Sequence, residues 1–208
     1  MGMGLSCIGN VAIVRSGDAK GARGFVTGKH GGCEHLLCYF DPETLEKMSI
    51  GDTIDVRTQG QGMKLLDYPE ILLRNMSPAL LEKMNITEKD GKLTVGVAKI
   101  VPGCIMGSGL GASTSYYGDY DITLHDKQIC QQYGLDQLRF GDIVAIQDAD
   151  TRYGRNFITG AITIGVVVHS DCILSGHGPG VTTLMTCKTP LIEPVIDQSA
   201  NLADFFLK

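Results

Sequence analysis

Twice in this chain, ninety residues apart, a stretch of mixed apolar and polar positions runs into a Gly-Asp pair and then into a strand. Leu45 through Val56 lies over Leu135 through Ile146 without a gap, with Gly51-Asp52 over Gly141-Asp142. Upstream, Gly17, Gly21, Ala22, Gly28 and His35 lie over Gly107, Gly111, Ala112, Gly118 and His125. Eight of forty aligned positions are identical, where about three are expected by chance in a chain this rich in Gly. The Gly opens backbone angles closed to other residues, and the Asp accepts hydrogen bonds from nearby backbone N–H groups. The pair therefore sets the angle at which the next strand leaves, and Asp52 and Asp142 read as scaffold.

The repeat predicts a mainly β fold with a few short helices, made of two related β-barrel-like halves that arose by internal duplication. The boundary falls near Asp90-Gly91, giving an N-terminal half over 1–90 and a C-terminal half over 91–208, which together could form one compact domain. Twenty-seven glycines and no Trp in 208 residues fit many tight turns and close backbone approaches. Asp41-Pro42 and Ser77-Pro78 open short helices, because Asp and Ser cap and Pro suits the first helical position. Asp126 to Gly134 reads as a third helix, and the β-branched run around Ala161–Val168 as a buried strand. Residues 16–32 read as a Gly-rich basic loop region, and Lys89-Asp90-Gly91-Lys92 as a polar hairpin or linker.

A net charge of -5 gives no electrostatic reason to expect a nucleic-acid partner. No apolar run approaches the roughly 18–20 residues that cross a membrane, and no signal peptide is visible. Seven cysteines without a CxxC pair read as free thiols in a reducing compartment, so the expected location is the cytoplasm. Phosphate-loop, HExxH and GxSxG motifs are absent. The one GxGxx[GA] match, at Gly107, runs into STSYYGDYD rather than a helix and fails the dinucleotide pattern.

Four clusters remain as carriers of chemistry. His30, Glu34 and His35 are good transition-metal ligands, and a bend at Gly31-Gly32 would let them converge. A hydrogen-bonded His35 and a solvated His30 are the rival reading. Asp119 and Asp121 share a strand face and suit a cation or acid–base work, although turn formation accounts for them more simply. Asp148 and Asp150 share a face after the second Gly-Asp strand, and Arg152 and Arg155 follow with the means to hold a carboxylate. His169 ends the buried strand, and His177 sits in a Gly-rich loop whose backbone N–H groups could receive an anion. These patterns nominate His169, His177 and Glu34 as catalytic. They nominate Lys29, Arg152, Gly178 and Gly180 for substrate binding, and His30, His35, Asp148 and Asp150 for a divalent metal.

The stretches SGDAKGARGFVTGKHGGCEH, GQGMKLLDYP, IMGSGLG, GDYDITLHD, LRFGDIVAIQDAD and HGPGVTTLMT resemble the domain-of-unknown-function family 4438 of bacteria and archaea, over nearly the whole chain. The resemblance implies a β-rich cytoplasmic protein and brings no activity or catalytic residues with it. Relative to that family's usual layout, the chain starts close to the first shared block. A site lined by a further N-terminal segment would then be incomplete or completed by another subunit. In its Gly-Asp turns and His-Gly-Gly loop the chain is also loosely similar to amide hydrolases of the acetamidase/formamidase type.

Two functional classes follow. One is an enzyme acting on a small polar or anionic molecule, by metal-assisted hydrolysis of an amide-type bond. The other is a non-catalytic small-anion-binding or structural module. Either is expected to be a homo-oligomer with neither nucleic acid nor membrane as partner. The two are told apart by whether the clusters, distant in sequence, meet in one pocket.

Overall fold

The computed structural model describes residues 2–31, 35–109 and 115–208. Over these residues the chain is mainly β, with two curled half-barrel sheets and five short helices. In order, the first elements are α1 (Gly2–Leu5), β1 (Val11–Val14), β2 (Arg23–His30), β3 (His35–Tyr39), α2 (Pro42–Lys47), β4 (Ile54–Val56), β5 (Leu72–Leu73) and α3 (Pro78–Lys83). Then come β6 (Ile86–Lys89), β7 (Lys92–Val97), β8 (Lys99–Pro102), β9 (Met106–Gly109), β10 (Tyr120–Ile122) and α4 (Lys127–Tyr133). The last are β11 (Ile143–Asp150), β12 (Asn156–Val167), β13 (Gly180–Cys187), β14 (Ile192–Ile196) and α5 (Leu202–Phe206).

The sheets run β3-β2-β1-β4, then β8-β11-β12-β13-β10-β9 with β5 added to β13, then β14-β7-β6. Local chemistry sets most boundaries. Asp41 and Ser77 cap α2 and α3 by accepting the N–H groups of Thr44 and Leu80. Asp126 caps α4, and Gly134 closes it in the left-handed conformation. Asp90 and Gly91, both at positive φ, turn β6 into β7.

The two Gly-Asp turns are alike in hydrogen bonding. Ser49 N–H donates to Asp52 Oδ2 and Arg139 N–H donates to Asp142 Oδ2, each at 2.8 Å. In both, the Asp N–H returns to the carbonyl three residues back. The strands that follow find different neighbours. β4 pairs antiparallel with β1, whereas β11 pairs in parallel with β8.

The second half of the expected loop over 16–32 is strand β2. Its glycines hid the pattern by leaving few apolar side chains to count. Gly28 packs so closely on Val168 that a Cβ would collide with the valine side chain, so the strand gains its contacts from approach rather than from side-chain bulk. The largest apolar cluster takes Ile8, Val26, Leu73 and Leu80 from before Asp90, and Val95, Ile143, Ile164 and Leu184 from after it.

Candidate functional site

Three adjacent strands bring the site together. β10 pairs with β13, placing Asp121 opposite Gly180, and β13 pairs with β12, placing Val181 opposite Val167. Asp119, Gly180 and His169 therefore lie at one common end of the β10-β13-β12 ribbon. β2 arrives from the other sheet. The Thr182 hydroxyl accepts the Lys29 N–H and donates to the Lys29 carbonyl, both at 3.1 Å. That double bond on the backbone delivers the next residue, His30, to the same place.

At the centre, His169 Nε2 lies 2.6 Å from Asp119 Oδ2 and 3.6 Å from Asp121 Oδ1. Its Nδ1 is 2.9 Å from the Ser170 carbonyl. The His30 ring meets the His169 ring edge-on, with centroids 4.7 Å apart. Asp119 is 4% exposed. Its Oδ1 accepts the Gly31 N–H at 2.7 Å. Its Oδ2, also buried, faces the His169 imidazole. Asp121 Oδ2 makes a long contact, 3.5 Å, with the Ser108 hydroxyl. One ligand atom from each of His30, Asp119 and His169 can be chosen so that all three lie within 4.8 Å of one another.

Gly180 makes this closeness possible. A Cβ there would collide with both Asp119 Oδ2 and His169 Nε2.

The two carboxylates, Asp119 first and then Asp121, push the His169 imidazole up to about 10 against the opposing effect of burial. A raised pKa means that the folded, ion-free protein holds this proton more tightly than the unfolded chain. The resulting stabilisation is complete below about pH 6.5 and is lost as pH rises toward 10. Urea unfolding of chelator-treated protein at pH 6 and pH 9.5 checks this, with His169→Gln as reference. The wild type should lose more stability than the variant over that interval. Equal losses would show that the pairing contributes nothing.

His169 and Val167 also form part of the wall of a cleft of about 510 Å³. Leu124, Leu135, Leu138 and Phe140 give it an apolar side, and Lys127, Asp136 and Asp171 supply charge. The volume falls within the range that takes small molecules. A second cavity, about 620 Å³, is lined by Tyr120, Ser108 and Arg155, and Arg155 also donates to the Gly107 carbonyl.

The other sequence candidates have different places. Lys29 is not available to hold a substrate carboxylate, because it is fully buried. Its amine donates to Asn75 Oδ1 at 2.7 Å and to the Tyr116 carbonyl at 2.9 Å. Arg152 is committed to buried Asp150 in a two-point pair, Nε to Oδ1 at 2.8 Å and a terminal nitrogen to Oδ2 at 2.9 Å. Asp148 has φ 55° at the bulge in β11, and its Oδ1 accepts the Gly160 N–H at 2.8 Å. Asp148 and Asp150 thus belong to a turn and an ion pair, apart from the His169 centre.

His35 sits opposite His30 across the β2–β3 hairpin but is exposed. His177 is exposed, with Nδ1 3.1 Å from the Ser175 carbonyl, and does not join the centre. Gly178 packs against the Ile122 carbonyl with no room for a side chain. Glu34 lies outside the described residues. The centre therefore unites His30 and His169 with Asp119 and Asp121. The two-residue spacing of the aspartates marked a shared face, but nothing local to them indicated an imidazole waiting on that face.

A mainly β chain with a carboxylate–imidazole centre between its sheets defines the class, and comparison with known proteins supplies the family. The family described as Domain of unknown function (DUF4438), N-terminal, matches residues 2–82, and its C-terminal counterpart matches residues 83–206. The chain belongs to the DUF4438 family. Among solved structures it is similar to the crystal structure of TM1086, with 50% sequence identity and a TM-score of 0.92, over 98% of this chain and 71% of that one. No curated protein matches. Among the described residues, no helix is long and apolar enough to cross a membrane.

Proposed function

We propose that the protein is an enzyme acting on a small polar or anionic molecule in the His169 cleft, and that the reaction is metal-assisted hydrolysis of an amide-type bond. The observation that carries this reading is convergence. Two imidazoles and a buried carboxylate come from three segments remote in sequence and meet beside a cleft of about 510 Å³. Burying these groups carries a desolvation cost, which the pairing with His169 offsets only while the imidazole holds its proton. Hydrolysis of an amide needs an electrophile to polarise the carbonyl and a group to take a proton from water. A bound cation would supply the first, and we assign the second to Asp121, whose Oδ1 lies 3.6 Å from His169 Nε2.

The test is a panel of small amides, including carboxylated and uncharged ones, followed by release of amine or ammonia. Wild-type protein should turn over at least one member, and His169→Gln should reduce kcat/KM by about 100-fold or more, the scale of one lost electrostatic or proton-transfer group. A folded wild type that is inert across the panel, with or without added metal, sinks the reading.

A further inference from the structure

We infer that His30, Asp119 and His169 form a binding site for one divalent transition-metal ion, with one nitrogen from each imidazole and Asp119 Oδ2 as ligands. The identity of the ligands deepens the hydrolytic reading above and rests on it only for the use made of the metal. Three independent features of the chain point to an ion.

The first is donor chemistry. Two imidazoles and one carboxylate, with their atoms within 4.8 Å of one another, suit zinc, manganese or ferrous iron. Magnesium and calcium prefer oxygen throughout. The second is the state of Asp119. It is 4% exposed, and its Oδ1 is fixed by the Gly31 N–H. That bond aims Oδ2 at the two imidazoles, with His169 Nε2 2.6 Å away. A ligating carboxylate anchored through its other oxygen is the arrangement that supporting hydrogen bonds give metal sites. The third is space. Gly180 leaves bare the position where any side chain would collide with both Asp119 Oδ2 and His169 Nε2.

Charge balance agrees with this. Asp119 and Asp121 place two carboxylates beside His169, and a divalent ion neutralises both. Three protein ligands leave coordination positions open, and His169 borders the cleft, so water or a substrate carbonyl would fill them from that side.

The experiment uses the full chain, stripped with a chelator and titrated separately with Zn²⁺, Mn²⁺, anaerobic Fe²⁺ and Mg²⁺ in a calorimeter. Binding of one equivalent of at least one transition ion is expected, with Mg²⁺ far weaker, and the three arms identify the preferred metal. Asp119→Asn and His169→Gln should each weaken binding by about 100-fold or more, the upper end of what loss of a supporting group alone costs a site. His177→Ala, away from the centre, should bind as wild type does. If either ligand variant fails to fold, the d–d absorption of Co²⁺ in wild type, and its change in the His30→Gln protein, reads ligation directly.

Binding unaffected by all three ligand substitutions, or Mg²⁺ as tight as Zn²⁺, overturns the assignment. Amide turnover that persists after complete chelation, with the metal titration unchanged, supports the site and overturns the metal-assisted part of the hydrolytic reading. One tightly held metal with no turnover of any amide supports the site and overturns the hydrolytic reading.

Discussion

Gly180→Ala is expected to disable the His169 centre in a protein that still folds. The alanine methyl would occupy the space where Asp119 Oδ2 and His169 Nε2 meet, closer than van der Waals contact to both. Neither partner can retreat freely. Asp119 is tethered by the Gly31 N–H, and His169 by its contact with the Ser170 carbonyl. The backbone cannot yield easily either, because the Gly180 carbonyl accepts the Val168 N–H at 2.9 Å and Gly180 is paired with Asp121. Overpacking of this kind costs about 1–3 kcal/mol of stability. On the metal-site proposal the effect on the site should be larger, about 10- to 100-fold in metal affinity. Thermal unfolding and metal titration of the same preparation separate the two effects. A Gly180→Ala protein with wild-type affinity would mean that the collision is relieved without disturbing the ligands.

The second large effect is expected at Lys29. Lys29→Ala removes a fully buried side chain and leaves Asn75 Oδ1 and the Tyr116 carbonyl without their donor. Cavity and lost hydrogen bonds together place the destabilisation at about 3–5 kcal/mol. Lys29→Met keeps most of the stem and loses only the amine, so it should cost less, about 1–3 kcal/mol.

Burial lowers the amine to about 8, a small opposing effect coming from Cys7. Below that pH the folded protein bears a cation it disfavours. As pH rises from about 8 toward 10.5, the unfolded chain holds more protons than the folded one, and wild-type stability increases. The neutral amine has two N–H donors, the number its two acceptors require. The gap between wild type and Lys29→Met should therefore widen over that interval in urea unfolding. A gap that narrows would assign the amine a charged role instead.

Lys29 also shows where sequence reasoning reached its limit. A lysine among glycines, before His30 and Gly31, has the pattern of a solvent-facing anion clamp. Its burial comes from Asn75, Tyr116 and Thr182, none of them near it in the chain. Asp148 and Asp150 misled for a different reason. Their spacing puts them on one face only in a regular strand, and the left-handed φ at Asp148 breaks the alternation. His169 was legible because a polar residue closing a long β-branched run stands at the rim of a sheet. Asp119 and Asp121 were legible as a pair but not as a site, since the spacing of two residues says nothing of a partner supplied by another strand. Helices α2, α3 and α4, the break at Asp90-Gly91 and both Gly-Asp turns depend on neighbours in sequence and could be read directly, whereas α1 carries no cap signal and was not.

The hydrogen bonds between Lys29 and Thr182 span 153 positions of the chain. Until β13 has been synthesised, His30 has no strand to bring it to Asp119. At ribosomal rates of about 5–20 residues per second, roughly 8–30 seconds separate the two segments. Throughout that time the emerging polypeptide carries scattered imidazoles and carboxylates but no assembled centre. The His30–Asp119–His169 grouping therefore assembles late, when the last long strand closes the ribbon, and a nascent or truncated product lacks it.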